Sequence, residues 1–115
     1  MPTQSDLLML RDKLRAFAAA RDWDQFHSPK NLSMALMVEV AELMEHFQWL
    51  TEAQSGELAA QDKAEVADEL ADVLLYLVRL SDKLGVDLRE AALHKLEKNA
   101  LKYPAELVRG SAKKR

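Results

Sequence analysis

Apolar residues recur every three or four positions along most of the chain, which is the spacing of amphipathic α-helices. The pattern predicts a first helix from about Ser5 to Ala20. Ser28 reads as an N-cap followed by Pro29 at the first helical position, so a second helix begins there and runs to about Trp49. The apolar stripes of these helices are Leu7, Leu10, Leu14 and Phe17 in the first, and Leu32, Leu36, Val40, Leu43, Phe47 and Leu50 in the second.

The second half of the chain predicts two more helices. The linker "TEAQSGELAAQ" indicates weak local order, and a third helix follows it over about residues 62–84, where Gly85 stops it. Asp87, with Glu90 three residues later, resembles a capping box for a fourth helix, which Pro104 ends. The stripe of the third helix is Val66, Leu70, Leu74, Leu77 and Leu84.

Four amphipathic helices with short connections predict an all-α fold, a four-helix bundle. We expect one domain over residues 1–108 and a flexible basic tail over residues 109–115. Helices two and three are apolar on more than one side, which a chain of 115 residues does not fully cover. We therefore expect self-association, of which a homodimer is the commonest form.

Composition narrows the class of protein. Hydrophobic residues make up 49% of the chain, which is typical of a globular protein. There is no cysteine, which excludes disulfides and thiolate metal sites and fits a reducing compartment. The N-terminus shows no signal segment and no apolar run reaches about 18 residues, so we expect a cytoplasmic protein without a membrane span.

The charges are unevenly distributed. From Glu39 to Asp72 there are ten acidic residues and one basic residue, Lys63, so this stretch carries −9 while the remainder carries +6. An acidic middle attracts cations and repels nucleic acid polymers, which bind to basic surfaces. We therefore expect no nucleic acid polymer as a partner.

Two rows of acids occur within the apolar helices. Glu39, Glu42 and Glu45 recur every third residue in helix two, and Glu69 and Asp72 are three apart in helix three. Residues at that spacing lie about 60° apart on a helix, so both rows can face one seam if the helices pack antiparallel. Like charges so spaced destabilise a helix by about 0.2–0.5 kcal/mol per pair, and a hard divalent cation would relieve this. Oxygen ligands suit Mg²⁺ or Mn²⁺ rather than zinc.

Other interpretations of the acids are open. Acids on helices are usually a solvated face, and Glu65 is ambiguous between that face and a site. A ferritin-like di-iron site uses two Glu-x-x-His pairs, whereas His46 follows Glu42 by four residues and helix three has no histidine. The acids that we assign to solvent are Glu45, Glu52, Glu57 and Asp68.

Mg²⁺ held by carboxylates commonly leaves positions for phosphates, so a nucleotide is a natural ligand. Trp23 and His27 before helix two, and Trp49 at its end, could stack on a base, which contributes about 1–3 kcal/mol. They could equally fill the core or a dimer interface, the interpretation that we prefer for Phe26. Polar residues down helix four could contact phosphate oxygens or form an ordinary wet face; these are Lys95, Asn99 and Lys102.

These stretches resemble a known family. "EVAEL" followed by "DELADVLLYL" is similar to the Glu-x-x-Glu and Glu-x-x-Asp pattern of the MazG-like, all-α nucleoside triphosphate pyrophosphohydrolases. "RDWDQFHSPKNL", "LMEHFQWL", "GVDLREA" and "KYPAEL" resemble the dCTP pyrophosphatase branch, over roughly residues 14–112. The resemblance implies hydrolysis of dCTP, or a modified dCTP, to dCMP and pyrophosphate in housecleaning of the nucleotide pool.

The resemblance also implies a site. It implies Mg²⁺ bound by Glu39, Glu42, Glu69 and Asp72. We expect a water activated by metal to attack the α-phosphate. The sequence does not name the glutamate that accepts its proton; Glu42 is our first candidate and Glu39 the other. The resemblance implies two subunits building the core and sites, with dimers often pairing into tetramers. With Lys102 added from its spacing, the expected substrate-binding residues are Trp23, Asp24, Gln25, Phe26, His27, Trp49, Tyr76, Lys95, Asn99, Lys102 and Tyr103.

Two alternatives remain at this level. Relatives in the branch can carry a polar residue on helix one facing the substrate, and the corresponding position here is Leu14, which leaves the base preference open. A dUTP-directed or broadly acting pyrophosphohydrolase shares the carboxylate pattern. A non-enzymatic helical dimer, from another class, would use the acidic rows to dock a basic partner.

Overall fold

The computed structural model describes residues 4–114, and within that range it contains helices and turns but no β-strand. The all-α prediction is therefore confirmed. None of these helices combines the length and apolar character that crossing a bilayer requires. The helices are α1 (Asp6–Ala20), α2 (Pro29–Glu45), α3 (Glu52–Ser55), α4 (Ala60–Lys83), α5 (Leu88–Lys102) and α6 (Ala105–Val108), with a 3₁₀ turn at Asp24–Phe26.

Local signals in the sequence place the helix ends. Ser28 Oγ accepts a hydrogen bond from the Asn31 N–H at 3.1 Å, and Pro29 takes the first helical position, as predicted for α2. Ser5 Oγ caps α1 in the same way. Gly85 adopts φ +68° after α4, a conformation that favours glycine and stops a helix.

The linker between α2 and α4 is more ordered than the sequence predicted. Thr51 Oγ1 accepts from the Gln54 N–H at 3.1 Å, and Gln54 Oε1 accepts from the Thr51 N–H at 3.0 Å. This capping box starts the one-turn helix α3, so the prediction of weak local order was wrong there. At α5, Asp87 accepts from the Glu90 N–H at 3.0 Å, which is one half of the predicted box.

The described chain divides into two compact units, and the boundary in the sequence lies between Gly85 and Val86. In the first unit, α4 packs against both α2 and α1. The second unit contains α5 and α6. The single domain over residues 1–108 stays a prediction, and residues 1–3 and 115 lie outside the described part of the chain.

The core of the first unit is small. Ala18, Leu32, Val66 and Val78 are its fully buried apolar side chains among residues 4–114. Other positions of the predicted stripes stay open, with Leu70 53% exposed. These stripe residues are apolar, but a single copy of the chain leaves many of them exposed to solvent. Further large apolar side chains that remain more than half exposed include Met34, Met37, Val38, Met44, Leu84, Leu96, Leu101 and Leu107.

Candidate active site

Three carboxylates from two helices meet on the first unit. Glu39 of α2 and Glu69 and Asp72 of α4 each offer one oxygen, and these oxygens lie within 4.8 Å of one another. We call these three residues the acid cluster. The three-residue spacing on α4 keeps Glu69 and Asp72 on one face, and the packing of α2 along α4 brings Glu39 to them.

Glu42 lies beside the acid cluster. Its carboxylate is close enough to help raise the pKa of both Glu39 and Glu69, although it is not one of the three whose oxygens come within 4.8 Å.

The acid cluster is electrostatically unfavourable without a cation. Burial raises the pKa of Glu39 and of Glu69, and the neighbouring carboxylates raise both pKa values further. The two residues are only half-buried, but one oxygen of each, Oε2, is shut off from solvent and has no hydrogen-bond partner among residues 4–114. Such oxygens, in a donor set made only of carboxylates, fit a hard divalent cation such as Mg²⁺ or Mn²⁺.

An aromatic pocket of about 200 Å³ opens beside the acid cluster. Asp72 lies both in this pocket and in the acid cluster, so the pocket and the carboxylates form one continuous site. The pocket is lined by Leu14, Phe17 and Ala18 of α1, by Trp23 and His27 of the segment after α1, and by Asp72, Leu75, Tyr76 and Arg79 of α4.

The end of α1 positions Trp23 in the aromatic pocket. The Trp23 N–H donates to the Ala18 carbonyl at 2.9 Å and the Asp22 N–H to the Ala19 carbonyl at 3.2 Å, with Asp22 at φ +53°. This is the Schellman arrangement, which usually brings an apolar contact with it. Here the Trp23 ring packs edge-on against Phe17, with ring centroids 5.7 Å apart.

A buried arginine is among the residues that line the aromatic pocket. The Arg79 side chain is 5% exposed, and its Nε–H donates to His27 Nδ1 at 3.1 Å. Nη2 donates to Asp24 Oδ1, and Nη1 lies 3.6 Å from Asp82 Oδ2. Burial and the charge of Arg79 lower the pKa of His27, although Asp24 acts in the opposite direction.

Comparison with known proteins identifies the family of this chain. The family model described as MazG-like family matches residues 34–114, which include all four predicted metal ligands. This chain belongs to the MazG-like family. The predicted resemblance is therefore confirmed.

The MazG-like chain is similar to proteins named dCTP pyrophosphatase 1. It is 48% identical to the one from Rattus norvegicus over 113 residues, 96% of this chain and 65% of the relative. It is 45% identical to the one from Homo sapiens over 115 residues, 98% of this chain and 66% of the relative. The chain thus spans just under two thirds of the length of these curated relatives.

A solved structure shares the fold. The crystal structure of a pyrophosphatase from Archaeoglobus fulgidus matches this MazG-like chain with a TM-score of 0.83 and 41% sequence identity. The match covers 90% of this chain and 97% of that one.

The structure brings some of the predicted substrate-binding residues of the MazG-like chain together. Trp23, His27 and Tyr76 line the aromatic pocket. Three neighbours of Trp23 and His27 do not: Asp24 pairs with Arg79 and Lys83, Gln25 donates to the backbone carbonyl and carboxylate of Asp22, and Phe26 is 58% exposed.

Other predicted residues lie away from the aromatic pocket or in the second unit. Trp49 follows α2 and is 86% exposed. Lys95, Asn99 and Lys102 lie on α5, and Tyr103 forms its C-cap, with Lys102 Nζ 5.5 Å from the Tyr103 ring centroid. Their part in binding stays a prediction.

Sequence reasoning missed four lining residues of the MazG-like site, which are Phe17, Ala18, Leu75 and Arg79. Phe17 was assigned to a core stripe, yet it is 47% exposed and supports Trp23. Arg79 was not singled out, although Asp72, Tyr76 and Arg79 are spaced by four and three residues and so share one strip of α4. That spacing was the signal that could have found it.

Proposed function

We propose that this chain is a nucleoside triphosphate pyrophosphohydrolase that converts dCTP, or a modified dCTP, and water to dCMP and pyrophosphate. The observation that carries the proposal is Asp72, which belongs both to the acid cluster and to the aromatic pocket. A base in the pocket would therefore hold its triphosphate at the carboxylates. The similarity to dCTP pyrophosphatases over most of this chain supports the cytosine base and a role in clearing the nucleotide pool.

The cofactor that we propose is Mg²⁺, with Mn²⁺ as a substitute, held by Glu39, Glu42, Glu69 and Asp72. The support is the pair of buried carboxylate oxygens without a partner among the described residues, together with the raised pKa values of Glu39 and Glu69. Bound there, a divalent cation supplies charge stabilisation for a triphosphate and lowers the pKa of a coordinated water.

In the proposed reaction, water attacks the α-phosphorus. A bond forms between the water oxygen and this phosphorus as the bond to the oxygen that bridges the α- and β-phosphates breaks, and pyrophosphate leaves. We assign to Glu42 the proton that the water loses, because its carboxylate lies beside Glu39 and Glu69 without being part of the closest group of three. Glu39 is the other candidate for this role.

The remaining side chains bind and orient the nucleotide. Trp23, with Tyr76 in the same pocket, offers an aromatic face for stacking, which contributes about 1–3 kcal/mol. We assign to the base and sugar the predicted residues Asp24, Gln25, Phe26 and Trp49. We assign Lys95, Asn99 and Lys102 to the phosphates, and Tyr103 to substrate binding beside them.

We further propose that the working form is a homo-oligomer, a dimer or a tetramer. The support is the large apolar surface that one copy leaves open, including Met37 on α2, which is 67% exposed, and Leu101 on α5, which is 83% exposed. Apolar faces of this extent on a small domain are typical of interaction surfaces.

Pyrophosphate release from a panel of dNTPs and NTPs, with Mg²⁺ and with EDTA, tests the proposed function. We expect metal-dependent release that is fastest with dCTP or a modified dCTP. Faster release from dUTP, or from many nucleotides alike, would keep the chemistry and reject the base preference. No release from any nucleotide by the folded protein would instead favour a non-enzymatic, acidic docking module.

A further inference from the structure

Arg79 and His27 determine each other's hydrogen bonds in the aromatic pocket. Guanidinium nitrogens only donate hydrogen bonds, so the contact from Arg79 Nε to His27 Nδ1 at 3.1 Å requires Nδ1 to accept. An imidazole that accepts at Nδ1 is neutral and carries its proton on Nε2. The lowered pKa of His27, caused by burial and by Arg79, is consistent with the neutral ring.

His27 Nε2 is the atom that this arrangement leaves for a ligand. No group among residues 4–114 forms a hydrogen bond with it, while the ring lines the pocket beside Trp23, with ring centroids 6.2 Å apart. The ring thus has Nε2–H as the donor that it would offer to a ligand beside Trp23.

Arg79 itself is not available to bind phosphate. Nε bonds to His27, Nη2 bonds to Asp24, and Nη1 faces Asp82 at 3.6 Å. A side chain that is 5% exposed and has protein partners on all three nitrogens acts on a ligand through its neighbours.

We propose that Arg79 is a positioning residue for the base: it holds His27 as the Nε2–H tautomer, and His27 then donates a hydrogen bond to the ring nitrogen N3 of a cytosine. The assignment of the base rests on the function proposed above. N3 accepts a hydrogen bond in cytosine but carries a proton in uracil and thymine, so a fixed donor at this point accepts dCTP and rejects dUTP. Sites that pair a buried polar group with a substrate atom discriminate strongly against analogues that lack the partner.

The first test needs no nucleotide. Two-bond ¹H–¹⁵N spectra of protein labelled at histidine show which ring nitrogen carries the proton, and His27→Gln identifies the His27 signals among the three histidines. We expect the Nε2–H tautomer in the natural protein and a mixture of tautomers in Arg79→Met. A natural protein with the Nδ1–H tautomer, or with a protonated His27 ring at neutral pH, would overturn the proposal.

Lys83→Met is the matched control. Lys83 Nζ bonds to the same Asp24 Oδ1 at 3.1 Å but does not line the aromatic pocket, so its loss should leave the His27 tautomer unchanged. Arg79→Met should fold, because both acidic partners of Arg79 retain another basic partner. Asp24 still pairs with Lys83, and Asp82 still pairs with Arg15, whose Nε lies 2.8 Å from Asp82 Oδ2.

The second test uses 3-deaza-dCTP, in which a C–H replaces N3. We expect kcat/KM for dCTP to exceed that for 3-deaza-dCTP by roughly three- to tenfold, the usual range for one hydrogen bond. Arg79→Met should lower this ratio, because the His27 ring is then held neither in one tautomer nor in one orientation. His27→Gln, whose amide can both accept and donate, should keep part of the ratio, and His27→Phe should abolish it.

A double-mutant cycle shows whether Arg79 acts through His27. Arg79→Met should change the ratio little when His27→Phe is already present, because the two side chains form one unit. If Arg79→Met lowers kcat/KM for both nucleotides equally, or if the effects of the two substitutions add, the positioning role is wrong. Absence of pyrophosphate release from the natural protein would reject the proposed function, and the tautomer measurement would still decide the role of Arg79.

Discussion

Glu39 and Glu69 each hold one carboxylate oxygen where neither solvent nor a donor among residues 4–114 reaches it. An ionised group in such a place destabilises the fold, because its lost hydration is not replaced. Burial and the neighbouring carboxylates raise the pKa of both residues, because both disfavour the ionised form of the carboxyl group. Residues in this state are candidates for binding, since ligand sites commonly sacrifice stability for function.

The acid cluster makes a prediction for turnover. Glu42→Gln, which removes the proposed proton acceptor beside the acid cluster, should lower kcat by about 10²–10⁴-fold. Asp72→Asn, which removes a proposed metal ligand, should abolish turnover, and helical circular dichroism should stay unchanged in both variants. Glu45→Gln is the matched control, because Glu45 is an exposed glutamate that follows Glu42 on the same helix. Full activity in Glu42→Gln or Asp72→Asn would remove that residue from the site.

A second prediction concerns stability without metal. Glu69→Gln should raise the melting temperature in EDTA at neutral pH, because it removes a charge that burial and Glu42 disfavour. Mg²⁺ should raise the melting temperature of the natural protein and raise that of Glu69→Gln by less. Thermal scans in EDTA and in Mg²⁺ give all four values, and a lower melting temperature for Glu69→Gln in EDTA would show that its charge is already compensated.

The pKa shifts also predict the dependence of metal-free stability on pH. The folded-state pKa values of Glu39 and Glu69 lie above the ordinary glutamate value of 4.5, so the folded protein binds more protons there and stability rises as pH falls from neutral towards that value. Asp24 and Asp82 have lowered pKa values, caused chiefly by hydrogen bonds from Lys83 and Arg15, so their stabilisation is lost as pH falls below 3.8.

His27 acts in the opposite direction to these glutamates, because its lowered pKa makes stability fall as pH drops below 6.5. The contribution of the glutamates therefore shows in a comparison with a variant that carries both Glu39→Gln and Glu69→Gln. In thermal scans in EDTA, the melting temperature of the natural protein should rise relative to that of this variant as pH falls from neutral towards 4.5. A constant difference between the two proteins over this range would contradict the assigned shifts.

At the scale of the elements, helix ends set by local chemistry were predictable. The side chain of Ser28 and the ring of Pro29 start α2, and the backbone freedom of Gly85 allows α4 to stop. Each of these effects depends on the residue type alone, so the sequence shows it. The helix α3 was missed because four residues are too few to show a period, although Thr51 and Gln54 carry a capping signal.

In the candidate site, too, features set by local spacing were predictable and features set by distant contacts were not. The acids of the acid cluster were predictable because their three-residue spacing is visible within each helix. The role of Arg79 was not, because its partners Asp24 and His27 lie 55 and 52 residues away along the chain. The spacing from Asp72 and Tyr76 indicates that Arg79 shares their strip of α4, but it does not reveal the partners of Arg79.

The N-cap of α2 yields a prediction at this scale. Ser28→Ala removes the acceptor for the Asn31 N–H and should lower the free energy of unfolding by about 1 kcal/mol. Ser28→Asp should keep most of it, because aspartate caps as well as serine does. Urea unfolding at one fixed protein concentration measures both. Equal destabilisation by alanine and aspartate would mean that the loss does not come from the cap.

At the scale of the whole molecule, the main feature is the apolar surface that a single copy leaves exposed to solvent. Only a few side chains within residues 4–114 are fully buried, whereas Met37 is 67% exposed and Leu96 is 64% exposed. Folding of one copy alone leaves much of the available hydrophobic stabilisation unused. The sequence predicted this shortfall from helices that are apolar on several sides, but the partner surface cannot be read from periodicity.

Stability should therefore depend on protein concentration. Over about a hundredfold range, the melting temperature should rise with concentration, because assembly stabilises the folded state by mass action. Met37→Glu should lower the melting temperature at high concentration more than at low concentration. Sedimentation in parallel measures the mass, and a monomer with a constant melting temperature would reject the oligomer.

The two tryptophans of the chain lie in very different surroundings. Trp23 packs against Phe17 in the aromatic pocket, and Trp49 is 86% exposed on one copy. Indole emission responds to its surroundings, so a base stacked on Trp23 should quench it, and a second copy that covers Trp49 should shift its emission to shorter wavelength. Trp23→Phe and Trp49→Phe would separate the two signals. Under these proposals Trp23 reports nucleotide binding, and Trp49, which we also assign to the substrate, reports assembly when no nucleotide is present.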